Sequence, residues 1–182
     1  MLRSKLARGL LAGAALIALL AADQAPKAKA PSPSAKDTCP AFERLKTLAG
    51  DWELANSKDE AQRGKTVVRY RVTAGGSAVE ETLFPGEAKE MVSIYHRDGN
   101  ALAMTHYCQC GNQPHMRTKS GEDANQLVFD FAGGSNLNAA TDTHMHSLKL
   151  RFVDADHLHA DWELYVEGKP ASVHSFDVVR KK

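Results

Sequence analysis

The chain has 182 residues and carries 23 Lys and Arg against 22 Asp and Glu, a formal net charge of +1. It is 43% hydrophobic and 25% charged. The length suits one domain with a tail. Balanced charge offers no long-range field to nucleic acid, so no nucleic-acid partner is expected, and this hydrophobicity excludes a wholly disordered chain.

The chain opens with Arg3, Lys5 and Arg8 and no acid, then runs uncharged from Gly9 to Ala22. A basic start, a short apolar core and small residues after it predict a secretory signal peptide over residues 1–22. The run is shorter than the roughly 20 apolar residues of a spanning helix. No stable membrane insertion is therefore expected after cleavage; the alternative is an uncleaved N-terminal anchor. No Cys follows closely enough for a lipid anchor, since Cys39 lies too far on. The expected location is exported, periplasmic or secreted.

Residues 23–38 read DQAPKAKAPSPSAKDT. Pro26, Pro31 and Pro33 among Ala, Lys and Ser leave no face to bury, which predicts a semi-extended linker. The folded domain is expected over 39–182, long enough for a single core. It should begin with a short helix: Thr38 near the cap, Cys39, Pro40 in the first turn, then Phe42, Leu45 and Leu48 at helical spacing, stopped by Gly50.

From Asp51 onward the hydrophobic period is two. Val68, Tyr70 and Val72 alternate with Arg69 and Arg71; Leu102 and Met104 with Ala103 and Thr105; Leu127, Phe129 and Phe131 with Val128 and Asp130. The pattern continues in Leu148, Leu150 and Phe152, in Leu158 to Val166, and in His174, Phe176 and Val178. Half-buried antiparallel strands read this way. Turn signals separate them at Gly75-Gly76, Asp98-Gly99-Asn100, Gly133-Gly134, Asp154-Ala155-Asp156 and Glu167-Gly168-Lys169. The expected fold is all-β: an antiparallel up-and-down β-barrel of about ten strands behind a short N-terminal helix, with a sandwich as the alternative.

Gly50-Asp51-Trp52 resembles the Gly-x-Trp that opens the first strand of lipocalin-type (calycin) barrels. Those barrels often set an Arg of the last strand across that Trp, a place Arg180 fits; a cation over an indole face is favourable. A narrower likeness runs through Glu90-Met91, Tyr95-His96, Asp98-Gly99, Thr105-His106-Tyr107-Cys108 and Asn112-Gln113-Pro114. This stretch resembles a group of exported bacterial lipocalin-like proteins without a settled activity. The resemblance implies a barrel and export, and donates no catalytic residue. Haem-binding barrels of the nitrobindin type are a more distant likeness, and no stretch here matches their proximal-histidine segment.

Alternation sorts the polar residues by face. His106 shares the face of Leu102 and Met104 and should point inward, with Cys108 and Cys110 continuing that face. His144 and His146 share the face of Leu148, Leu150 and Phe152 if the strand begins that early. His174 goes with Phe176 and Val178, and packs beneath the barrel. His157 and His159 should face water. In Ala78–Phe84 either face that points inward carries an acid, Glu80 or Glu81, and a buried carboxylate needs a partner.

The expected function is an exported barrel binding a small, partly apolar molecule in a His-containing interior. The expected ligand-binding residues are Tyr70, Glu80, His106, Cys108, Asn112, Gln113, His144 and His146, with the Asn112 and Gln113 amides rimming the mouth. Alternatively His106, His144 and His146 hold a metal or haem: two imidazoles two apart on a strand project side by side, and a third leaves an open position as in catalytic zinc sites. A third possibility is a structural or inhibitory envelope protein whose core is filled by Phe129, Phe131, Phe152 and Trp162. No cofactor is specified, and no Gly-x-Ser-x-Gly, His-Glu-x-x-His or Cys-x-x-Cys marks an enzyme. Cys39 is free to bridge Cys108 or Cys110, which would leave one thiol over.

Overall fold

The computed structural model describes residues 39–119 and 125–182. The expected signal peptide and linker, residues 1–38, lie outside the described residues. Among those described, no helix is long and apolar enough to cross a membrane.

Helix α1 spans Pro40–Lys46, with Cys39 as its N-cap and Pro40 in the first turn. It is shorter than the spacing of Phe42, Leu45 and Leu48 predicts, but all three are buried. Ten strands follow: β1 Gly50–Leu54, β2 Val68–Thr73, β3 Ala78–Leu83, β4 Met91–Asp98 and β5 Ala101–Tyr107. Then come β6 Gln113–Arg117, β7 Gln126–Ser135, β8 His144–Phe152, β9 His157–Val166 and β10 Lys169–Arg180. Each pairs antiparallel with its sequence neighbours, and β1 pairs with β10, so the sheet closes into an up-and-down barrel. The expected architecture is the one observed.

Closure is anchored on Trp52. The Arg180 guanidinium lies 4.4 Å from the Trp52 ring centroid. It also donates to the carbonyls of Ala49 and Thr47, each at 2.8 Å, just past the end of α1. The indole Nε1 donates to the Leu48 carbonyl at 2.8 Å. One arginine thus ties the last strand, the first strand and the helix exit together, where carbonyls would otherwise lack partners. Gly50 is required here. Its φ is +132°, and a Cβ on it would sit 3.1 Å from an Arg180 nitrogen.

Helix α1 covers one end of the barrel, where Cys39, Pro40 and Ala41 line a small cavity with Asn100, Leu102 and Thr118. Inside, Trp52, Tyr95, Leu102, Met104, Met116, Phe129 and Leu148 are fully buried. Toward the other end burial thins: Leu54, Phe84, Met145 and Phe176 are only partly buried against the core. Strand β10 outruns β1, which pairs only with Val178–Arg180. His174 consequently stands opposite Trp162 in register but is exposed. The expectation that it packs beneath the barrel is corrected: its strand reaches past the wall that would cover it.

Candidate functional site

A row of polar side chains crosses four neighbouring strands on the inner face. Tyr70 pairs with Glu81, Glu81 with Ser93, and Ser93 with His106. All four are buried. The Tyr70 hydroxyl donates to Glu81 at 2.6 Å and the Tyr95 hydroxyl, also buried, donates to its other oxygen at 2.8 Å. Ser93 is a further donor to Glu81. Burial raises the Glu81 pKa, and these three hydroxyls oppose that rise. Burial first, and then the Glu81 charge, push both tyrosines well above their ordinary value.

The row favours one His106 tautomer. The Ser93 hydroxyl lies 3.0 Å from His106 Nδ1; with the serine proton turned to the Glu81 carboxylate, which only accepts, the imidazole carries its own proton on Nδ1. In that tautomer the opposite nitrogen, Nε2, keeps a bare lone pair. Burial holds the ring neutral, its pKa lowered to about 4. Trp162 lies beside it, with ring centroids 4.7 Å apart. His106 Nε2 and Trp162 Nε1 are both buried and have no hydrogen-bond partner among the described residues. In the Nδ1–H tautomer two neighbouring rings therefore present one unpaired acceptor and one unpaired donor, which is costly unless something fills both.

His144 and His146 lie elsewhere. A β-bulge between Met145 and Ser147 inserts one residue, so Met145 opposes Leu164 while His144 opposes Tyr165. Alternation on β9 puts Trp162 and Leu164 inside and Tyr165 on the other face. His146 stacks on Tyr165 at 3.7 Å and on Phe131 at 4.8 Å. His144 is buried and His146 half-buried, both against Phe131, which stands opposite the buried Met116. The pair also satisfies itself. The Asp142 carbonyl can only accept, so His144 Nδ1 donates to it at 2.8 Å, and His144 Nε2 accepts from His146 Nδ1 at 3.0 Å. Burial, then His144, lowers the His146 pKa. His106, His144 and His146 are not gathered: among the described residues no three His, Cys, Asp or Glu side chains stand close enough to hold a metal ion.

The remaining expected residues are dispersed. Tyr70 is in the row. Glu80 points outward, paired with Arg71 at 2.7 Å, and the interior acid is Glu81. Asn112 is buried in the β5–β6 hairpin and donates to the Thr143 carbonyl at 2.8 Å. Gln113 accepts from Asn136 at 2.9 Å. Cys108 is buried at the strand end, whereas Cys110 sits in the turn and is exposed, so the shared inner face expected of them ends at Cys108. All three thiols are free, and Cys39 lies by Leu102 at the α1 end of β5. Cys108 lies six positions beyond Leu102, about 20 Å along the strand direction, which rules out the Cys39 bridge. His157 is exposed as expected, and His159 is held on the outer wall between Asp177 and Asp161.

Sequence reasoning missed Ser93, Tyr95 and the Trp162 nitrogen. Ser93 and Tyr95 share the phase of Met91 in Met91–Asp98 and alternate with Val92 and Ile94, and that phase is the available signal. A comparison with models of known protein families found no match, and a comparison with curated proteins found none either. The closed ten-strand barrel is compatible with a lipocalin-like fold.

Proposed function

We propose that the protein is an exported barrel that binds a small molecule with an apolar body and a neutral polar head. The observation that carries this is the unpaired couple His106 Nε2 and Trp162 Nε1. A group that satisfies both must donate one hydrogen bond and accept another, as an alcohol or a primary amide does. An ionised carboxylic acid accepts only, and the buried Glu81 repels it. The partly buried Leu54, Phe84, Met145 and Phe176 offer apolar surface against which the body of such a ligand would pack.

The test is a titration at pH 8 with decanol, decanamide and decanoate, read by tryptophan fluorescence and native mass spectrometry. The alcohol and the amide are expected to bind about tenfold more tightly than decanoate, the worth of one additional buried hydrogen bond. His106→Leu should erase that preference. If none of the three binds, the interior is an inert core and the binding function is wrong. Export is tested separately, by the N-terminal sequence of the protein recovered outside the cytoplasm, expected to begin near residue 23.

A further inference from the structure

The β5–β6 hairpin carries a feature that ligand binding does not use. Gly111 N–H donates to the Cys108 carbonyl at 3.0 Å, and Cys108 N–H to the Asn112 carbonyl at 3.2 Å. Residues 108–111 therefore form a tight turn, in which the first and fourth Cα atoms lie within about 7 Å. In an extended strand Cys108 and Cys110 would be about 6.6 Å apart, at the limit of disulfide reach. The turn brings them nearer. Gly111 at φ +82° permits the turn.

The two sulfurs differ in access. Cys110 is exposed and Cys108 is buried. Burial pushes the Cys108 thiol up to about 11, which makes it a poor first nucleophile. Cys39 is at the opposite end of β5 and cannot compete.

We infer that Cys108 and Cys110 form a redox-active pair that exchanges with low-molecular-weight disulfides. The Cys110 thiolate attacks one sulfur of the external disulfide RSSR and releases one RS⁻, which takes up the proton Cys110 gave up. Cys108 then loses its proton and attacks the Cys110 sulfur of the mixed disulfide, breaking the bond to the second RS group, which leaves with that proton as RSH. Two thiols are oxidised to one Cys108–Cys110 bond, and RSSR is reduced to two RSH.

The experiment uses the full-length protein in glutathione buffers of increasing disulfide fraction, quenched by alkylation and mapped by mass spectrometry. Wild type is expected to lose two hydrogens from the segment carrying Cys108 and Cys110, with little glutathione adduct and with Cys39 still a thiol. Cys108→Ala should accumulate the Cys110–glutathione adduct, about tenfold above wild type, because the second step is gone. Cys110→Ala should leave Cys108 unreacted. The inference is overturned if wild type stops at the mixed disulfide, if both thiols stay alkylatable in excess glutathione disulfide, or if Cys39 appears in the bond. The wild-type measurement decides alone, whether or not a variant folds.

Discussion

His106 Nδ1 lies 3.0 Å from the Ser93 hydroxyl, and burial keeps this imidazole neutral down to about pH 4. The unfolded chain takes up that proton near 6.5. Between those two values the unfolded state binds more protons, so stability is full above 6.5 and falls as pH drops toward 4. The difference amounts to about 3 kcal/mol at most. Urea unfolding of wild type and His106→Gln at pH 7 and pH 4.5 checks this: the wild-type loss should exceed that of the variant. Equal losses would mean that His106 is protonated in the folded state.

Tyr70 and Tyr95 each give Glu81 a hydroxyl proton. Tyr70→Phe or Tyr95→Phe removes a hydrogen bond to a buried charge, with an expected loss of about 1.5–3 kcal/mol each. The two changes share one acceptor, so the double variant should depart from the sum of the singles. Chemical unfolding of the three variants measures it. A loss near zero for either tyrosine would show that water takes its place.

His159 Nδ1 lies 2.6 Å from Asp177 and Nε2 3.0 Å from Asp161. Hydrogen bonding to Asp177, ahead of Asp161, raises its pKa. The stability this confers is complete below the unfolded value of 6.5 and is lost as pH rises through the higher folded value. The pair is on the outer wall, so the effect should be no more than about 1 kcal/mol, and weaker in salt. NMR titration of His159 in wild type and Asp177→Asn checks the sign: the variant pKa should be lower.

Arg180→Lys keeps the charge and loses the planar fork that reaches two carbonyls while lying over Trp52. About 2 kcal/mol of destabilisation is expected from the lost contacts. Thermal unfolding followed by tryptophan fluorescence reports both the stability and the Trp52 environment. A melting curve matching wild type would show that the stacked guanidinium is dispensable.

Alternation made the barrel wall legible: Leu102, Met104 and His106 face inward as their spacing predicts. It reached its limit at three places, each for a local reason. In Ala78–Phe84 both phases contain an acid. Phe84 favours the phase of Glu80, yet its φ of +52° has already taken it out of the strand, to meet Phe176. At His144 and His146 the alternation is interrupted by a bulge, and an extra residue in a strand has no composition mark. At His174 the phase is right and the burial wrong, because burial depends on the length of β1, more than a hundred positions earlier. The polar row itself depends on which residues stand opposite one another, and register is set by turns and pairing across the sheet.

Arg180 bonds to Ala49 across 131 positions of chain. The seam between first and last strands therefore cannot form until both ends of that span are free to meet, and until then the Trp52 face has no guanidinium to cover it. Closing the cylinder depends on a contact of high sequence separation, which makes it a late event in folding.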